Sequence, residues 1–185
     1  MRDETELGRA AKEYMDRGDL VPDDVIVGAI GERIDSAEAT DGFILDGFPR
    51  TVPQAEALAA KLGELGRELT AVLLIDAGDD EVMRRLGGRR TCVESGHVFH
   101  VDFNPPEREG VCDVDGSELI VRDDDKPEVI RHRLDTYHEK TEPLIEFYDD
   151  RSLLRRIDGT AAPDAVADEL RRSLATLKLE ADQTV

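Results

Sequence analysis

"GFILDGFPRT", residues 42–51, is the stretch on which the reading of this chain turns. Phe43, Ile44 and Leu45 form a short apolar run of the kind that makes a strand buried on both faces of a parallel sheet. Asp46 then falls at the carboxyl end of that strand, where open α/β sheets place their ligands. Gly47 lets backbone approach a ligand closely, Pro49 can take either peptide isomer, and Arg50 offers a fork that grips an oxyanion at two points. In isolation Asp46 is a turn cap and Arg50 a surface charge, so the flanking sequence has to decide.

Outward from this stretch, helix and strand signals alternate. Residues 4–19 carry a helix pattern with Leu7, Ala10, Ala11 and Tyr14 on one face and Gly18 as its stop. "VPDDVIVGAIGERI", residues 21–34, restarts a helix, with Pro22 near its first turn and Asp23 and Asp24 at the positive end of the dipole. After the strand at 43–46, Thr51 caps a helix to about Gly66. "TAVLLID" (70–76) and "LLRRID" (153–158) read as buried strands, and "DDEVMRRLGGRR" (79–90) as a helix. Residues 127–149 read as one long helix with Pro143 as a kink, and 163–179 as the closing helix. Strands alternating with helices imply an α/β fold with a parallel sheet flanked by helices. Residues 88–125 break the rhythm; rich in Gly, Pro, Asp and Thr, they read as a small β insertion into a core formed by 1–87 and 126–185.

Composition narrows the function. The chain has 185 residues and a net charge of -19, so free nucleic acid is not an expected partner. It contains no apolar run long enough for a membrane helix and no secretory leader in its first residues, which reads as cytoplasmic. Nineteen of the 24 basic residues are Arg and five are Lys, a surface that suits solubility at high salt as well as an ordinary acidic protein. The remaining Arg are suited to phosphate: Arg50 in the loop, Arg89 and Arg90 after Gly87 and Gly88, and Arg122, Arg131 and Arg133 where the insertion leaves. Arg at both roots of an insertion can close on a charged substrate and exclude water, whereas any single one reads as a solvated surface charge.

The order "DGFPRT" with Gln54, "GRR", "GHVFHVDFNPP", "VRDDD", "RHRL" and "DGT" at 158–160 resembles adenylate kinase in its long-lid form, over nearly the whole chain. "DGFPR" alone also fits UMP/CMP kinases; Gln54 and the "FNPP" lid favour the adenylate enzyme. The resemblance implies the P-loop nucleoside monophosphate kinase fold, with 88–125 as a lid and an AMP-binding segment at about 1–21. It implies reversible transfer between ATP, carried with Mg²⁺, and AMP, giving two ADP. Asp19, Leu20, Val21, Gly47, Phe48, Pro49, Arg50 and Gln54 would then meet AMP. Arg85, Arg89, Val98, Phe99 and Ala161 would face ATP, Arg122 and Arg133 would bridge the phosphates, and Asp46 would stand behind the Mg²⁺ waters. Arg50, Arg89, Arg122, Arg133 and Asp46 form the expected catalytic set, and the resemblance implies a monomer. Such a site works by positioning and positive charge rather than by a covalent nucleophile.

Two departures stand out. The family opens on a strand and a G-x-x-x-x-G-K-[ST] loop, and no such stretch occurs here; none of the five Lys follows a Gly. A start codon set downstream, or a fragment, is favoured over a short protein that has lost ATP binding, because the other site residues are intact. The first strand and the phosphate loop are thus expected to be missing, leaving a gap in the sheet, poor stability and impaired activity. In the lid, Cys92, Ser95, Cys112 and Asp115 fall where some family members hold structural zinc. Ser95 is a poor donor, so zinc is not expected; His97 and His100 are alternative donors that more often serve structure, and a disulfide is expected less still. The other classes of function considered are a non-catalytic nucleotide-binding protein and a metal module centred on the lid.

Overall fold

A computed structural model of the chain describes residues Tyr14, 19–36, Ala39 and 41–182. The helix expected at 4–19 lies outside these residues except for Tyr14, which is helical, and Asp19, which is not. The chain divides into two compact units: one gathers Gly78–Thr136 with the described residues of the first 21, the other joins Pro22–Ala77 to Tyr137–Val185. Among the described residues no helix is long and apolar enough to cross a membrane.

The second unit holds α1 (Asp23–Asp35), α2 (Val52–Glu64), β1 (Val72–Asp76), a π turn (Tyr137–Thr141), α5 (Pro143–Asp149), β5 (Leu154–Asp158) and α6 (Pro163–Asp182). β1 and β5 pair in parallel, from Val72 opposite Leu154 to Asp76 opposite Asp158. Helix α2 buries Ala55, Leu58 and Leu62, a spacing of three and four that lays one stripe along the helix. Leu58 and Leu62 pack with Ile34 of α1, while Ala55 packs with Leu144 and Tyr148 of α5, so α2 joins two apolar clusters. The long helix expected at 127–149 is interrupted: the Glu142 N–H reaches the Tyr137 carbonyl at 2.8 Å, an i to i+5 bond, and α5 restarts at Pro143.

The strand expected at 43–46 does not form. Residues 43–46 join no ladder, and Ile44 is 93% exposed where burial on both faces was expected. The alternation survives: Phe43 and Leu45 pack against the Ile34, Leu58 and Leu62 cluster, and Ile44 between them points the other way. An extended segment becomes a strand only when another backbone satisfies its N–H and C=O groups, and among the described residues β1 is paired with β5 alone.

In the first unit, α3 (Asp79–Gly87) and α4 (Pro127–Thr136) flank a three-stranded antiparallel sheet in which β2 (Arg89–Cys92) lies between β3 (Val98–His100) and β4 (Leu119–Ile120). Its core is small: Cys92, Phe99, Cys112 and Leu119. The His100 ring rests over Gly88, where a Cβ would lie 2.2 Å from His100 Nε2, so a larger residue there would displace that ring.

Candidate functional site

The loop after Leu45 is built around Arg50 and Gln54. Gly47 takes φ +70° and the Phe48–Pro49 peptide is cis. The Arg50 Nε–H donates to the Gly47 carbonyl at 2.7 Å, which folds the guanidinium back over its own loop. The Arg50 backbone N–H donates to Gln54 Oε1 at 2.7 Å. Gln54 Nε2 in turn donates to Asp23 Oδ1 at 2.6 Å, and Thr51 Oγ1 donates to Asp23 Oδ2 at 3.2 Å. One carboxylate at the start of α1 therefore fixes the first turn of α2. Gln54 is only 2% exposed, and its amide keeps one N–H and one acceptor lone pair beyond these bonds. Thr141 Oγ1 closes the loop by donating to the Arg50 carbonyl at 2.8 Å. Asp46 stands exposed beside it.

Three of the expected phosphate-binding arginines converge on one acidic turn, Asp123–Asp125, a 3₁₀ turn ahead of α4. Arg89 grips Asp125 at two points, 2.7 Å from Nε and 2.5 Å from Nη2. Arg122 grips Asp124 the same way, 2.8 Å at both nitrogens. Arg133 reaches the Asp124 carbonyl at 3.0 Å and lies 3.6 Å from its carboxylate. The Asp125 side chain is fully buried, while the three guanidinium groups remain at least a quarter exposed. A buried acid thus holds its arginine at a surface where a charged ligand can replace water. Arg85 belongs to another network: Glu81 accepts from Arg84 Nη2 at 2.7 Å and from Arg85 Nε at 2.6 Å, and these two arginines hold its carboxyl below the ordinary range.

The remaining expected residues are placed singly. Val98 is exposed, whereas Phe99 is buried in the core of the small sheet, so its side chain does not face solvent. Asp19 meets His132 of α4 at 2.8 Å, and Leu20 and Val21 follow in irregular chain. Ala161 is half-buried in the turn after β5. That turn is shaped by Asp158, which accepts from the Thr160 hydroxyl at 2.7 Å and its N–H at 2.8 Å. These bonds hold its carboxyl below the usual carboxylate range.

At the far end of the small sheet, Cys92, His97, Cys112 and Asp115 bring their ligand atoms within 4.8 Å of one another. Burial pushes the Cys92 thiol up, but hydrogen bonds from Ser117 and Ser95 outweigh it and bring it down to about 7. Burial leaves Cys112 raised. Bonds from Ser117, foremost its hydroxyl, and from Ser95 hold Asp115 well below the usual carboxylate range. The sequence reading missed Asp23, Asp124 and Asp125 as positioning residues, because acids in a row or in a first helical turn read as a solvated face. A run of three acids set directly after Arg122 was the available signal.

Comparison with known proteins identifies the family. The family model for adenylate kinase matches residues 1–153. An adenylate kinase from Methanococcoides burtonii is 49% identical over 178 residues, covering 96% of this chain and 82% of that protein. The Lachnospira eligens adenylate kinase is 46% identical over 166 residues, covering 90% and 78%. The Staphylococcus aureus enzyme is 49% identical over 160 residues, covering 86% and 74%. Matches this extensive show the family: the chain belongs to the adenylate kinases, the phosphotransferases of adenine nucleotides.

Proposed function

We propose that Arg89, Arg122 and Arg133 are the groups that meet the transferring phosphates, and that the Asp123–Asp125 turn holds them ready. The observation that carries this reading is the pair of two-point grips, Arg89 on buried Asp125 and Arg122 on Asp124. Each grip uses two of a guanidinium's five N–H donors and leaves three for phosphate oxygens. Phosphoryl transfer through a loose transition state needs in-line positioning and fixed positive charge, and preset arginines supply both without reorganising during the step.

On the AMP side, Gly47, Phe48, Pro49 and Arg50 form the phosphate loop, Gln54 presents its spare N–H and lone pair to adenine, and Asp19, Leu20 and Val21 border the nucleotide. On the ATP side, Arg85, Arg89, Val98, Phe99 (through its backbone, since its ring is buried) and Ala161 are the contacts. Mg²⁺ arrives with ATP as part of the substrate, and exposed Asp46 suits its water shell. Residues 88–125 act as the lid. A charge of -19 with few Lys fits a monomeric cytoplasmic enzyme adapted to salt.

The 185 residues contain no G-x-x-x-x-G-K-[ST] stretch to cradle ATP phosphates, so the chain by itself turns over slowly while keeping affinity for AMP. The test is ADP formation from ATP and AMP, run on this chain and on a form extended upstream. The extended form is expected to be active and its Arg122→Ala variant to lose about 10²-fold in kcat/KM. Fast turnover by the 185 residues alone would remove the need for an added loop. Inactivity of both forms with AMP still bound would make this a nucleotide-binding relative without catalysis.

A further inference from the structure

The buried amide of Gln54 is held between two partners that each act in one direction only. The Arg50 backbone N–H can donate and not accept, and it meets Oε1 at 2.7 Å. The Asp23 carboxylate can accept and not donate, and it meets Nε2 at 2.6 Å. Turning the amide over would set oxygen against carboxylate and N–H against N–H. Its neighbours therefore fix its orientation, with the oxygen on the Arg50 side and the nitrogen on the Asp23 side. Asp23 is itself anchored: it opens α1, and its second oxygen accepts from Thr51 Oγ1 at 3.2 Å.

Building on the reading of Gln54 as the group that meets the base, we propose that Asp23 makes this loop select a 6-amino purine over a 6-oxo purine by locking the Gln54 amide in one orientation. Adenine carries an N–H donor at position 6, where guanine and hypoxanthine carry a carbonyl acceptor. Position 1 changes in the opposite sense, from acceptor to N–H donor. A primary amide can serve either pattern by turning over, because its oxygen and nitrogen are nearly equal in size and exchange places. A glutamine free to turn therefore discriminates poorly between the two classes of base. One whose amide is locked offers its spare lone pair and its spare N–H in a single order, and the base that needs the reverse order meets two mismatches.

Charge decides which of the two neighbours dominates. A hydrogen bond to an ionised acceptor is roughly twice as strong as one between neutral groups, so the Asp23 contact opposes turning more than the Arg50 contact does. Gln54 is 2% exposed, and water does not stand in for a lost partner at such a depth. An asparagine at position 23 would keep the shape of the side chain but could accept or donate, and so would tolerate both orientations of the amide. Asp23 acts through Gln54 and is a positioning residue. Its duty is hidden in the sequence because an acid in a first helical turn reads as a partner of the dipole, and Gln54 stands 31 residues further on.

Calorimetric titration of the full 185-residue chain with AMP and with inosine monophosphate, which differ only at positions 6 and 1 of the base, tests the lock. The parent chain is expected to favour AMP by more than about 100-fold. Asp23→Asn and, as a second variant, Asp23→Ala are each expected to narrow that ratio by at least about tenfold, chiefly through tighter binding of inosine monophosphate. Thr51→Ala loosens the start of α2 without releasing the amide, and is expected to weaken both nucleotides alike and leave the ratio within about twofold. Gln54→Leu is expected to abolish the preference, and circular dichroism checks the fold of each variant. If Gln54→Leu abolishes the preference while both Asp23 variants keep it, Asp23 is not the lock and the reading of Gln54 stands. A Thr51→Ala ratio that narrows as far as that of Asp23→Asn makes Asp23 a structural anchor only and overturns the proposal. If Gln54→Leu keeps the preference, or the parent chain shows none, the reading of this loop as an adenine site falls and the proposal with it.

Discussion

At the scale of single residues, Asp125 carries more than its place in an acidic run suggests. Its side chain is fully buried, and Arg89, about a quarter exposed, is its two-point partner. Removing one member of such a pair leaves the other short of compensation, and where the survivor reaches water the cost falls toward the low end of the range for buried pairs. Asp125→Ala should therefore destabilise the chain by about 3 kcal/mol in urea unfolding, more than Arg133→Ala, whose side chain is over a third exposed. A loss under about 0.5 kcal/mol would mean that the pair is held by water as well as by protein. Gly159 shows the opposite economy: it contributes by what it lacks, since a Cβ there would lie 2.7 Å from the Asp76 carbonyl. That approach ties the turn bearing Ala161 to the end of β1, through a Gly159 N–H bond of 2.7 Å to the same oxygen.

At the scale of elements, α2 shows how far local signals reach. Thr51 accepts the Gln54 N–H at 3.2 Å as the helix cap while its hydroxyl hydrogen goes to Asp23. Thr51→Ala removes both bonds and should cost about 1–2 kcal/mol; a neutral result would show that Gln54 alone anchors the helix start. This helix was legible in the sequence because cap, proline and apolar stripe lie within 13 residues. The segment 43–46 was misread because its apolar run is also what a one-sided extended segment looks like; only a partner strand distinguishes the two. Arg89, Arg122 and Arg133 could be singled out as phosphate groups, but not their acids, since Arg89 and Asp125 are 36 residues apart in the chain. The small sheet adds a pH dependence. Held down by hydrogen bonds from Ser117 and Ser95, the folded Cys92 thiol at about 7 lies below the ordinary unfolded value of 9.0. An acid with a depressed folded pKa adds stability that is full above the unfolded value and lost as pH falls through the folded one. Melting temperature should therefore rise between pH 7 and 9, and Cys92→Ser should flatten that rise; an unchanged slope in the variant would assign it to another group.

At the scale of the whole molecule, the decisive question is what the apolar side chains left in water are for. Ile44 is 93% exposed and Ile75, in β1, is 53% exposed, although both stand in segments whose neighbours Phe43, Leu45 and Leu74 are at least half-buried. A parallel sheet of this class is covered on both faces, so an isoleucine in water at such a position carries no packing energy of its own. The matched region spans 82% of the Methanococcoides burtonii relative, which leaves room in such proteins for chain beyond what aligns here. These facts yield a prediction that compares two forms. In the 185-residue chain, Ile44→Thr should change unfolding free energy by less than about 0.5 kcal/mol, as surface substitutions do. In a form extended upstream by a strand and phosphate loop, the same change should cost about 1.5–3 kcal/mol, because a strand laid beside residues 43–46 would bury the side chain. Equal, small effects in both forms would place any added strand elsewhere and leave Ile44 a surface residue. A large effect in the short chain would show that Ile44 is already covered in solution, by a second copy of the chain, and sedimentation would then find a dimer where a monomer is proposed.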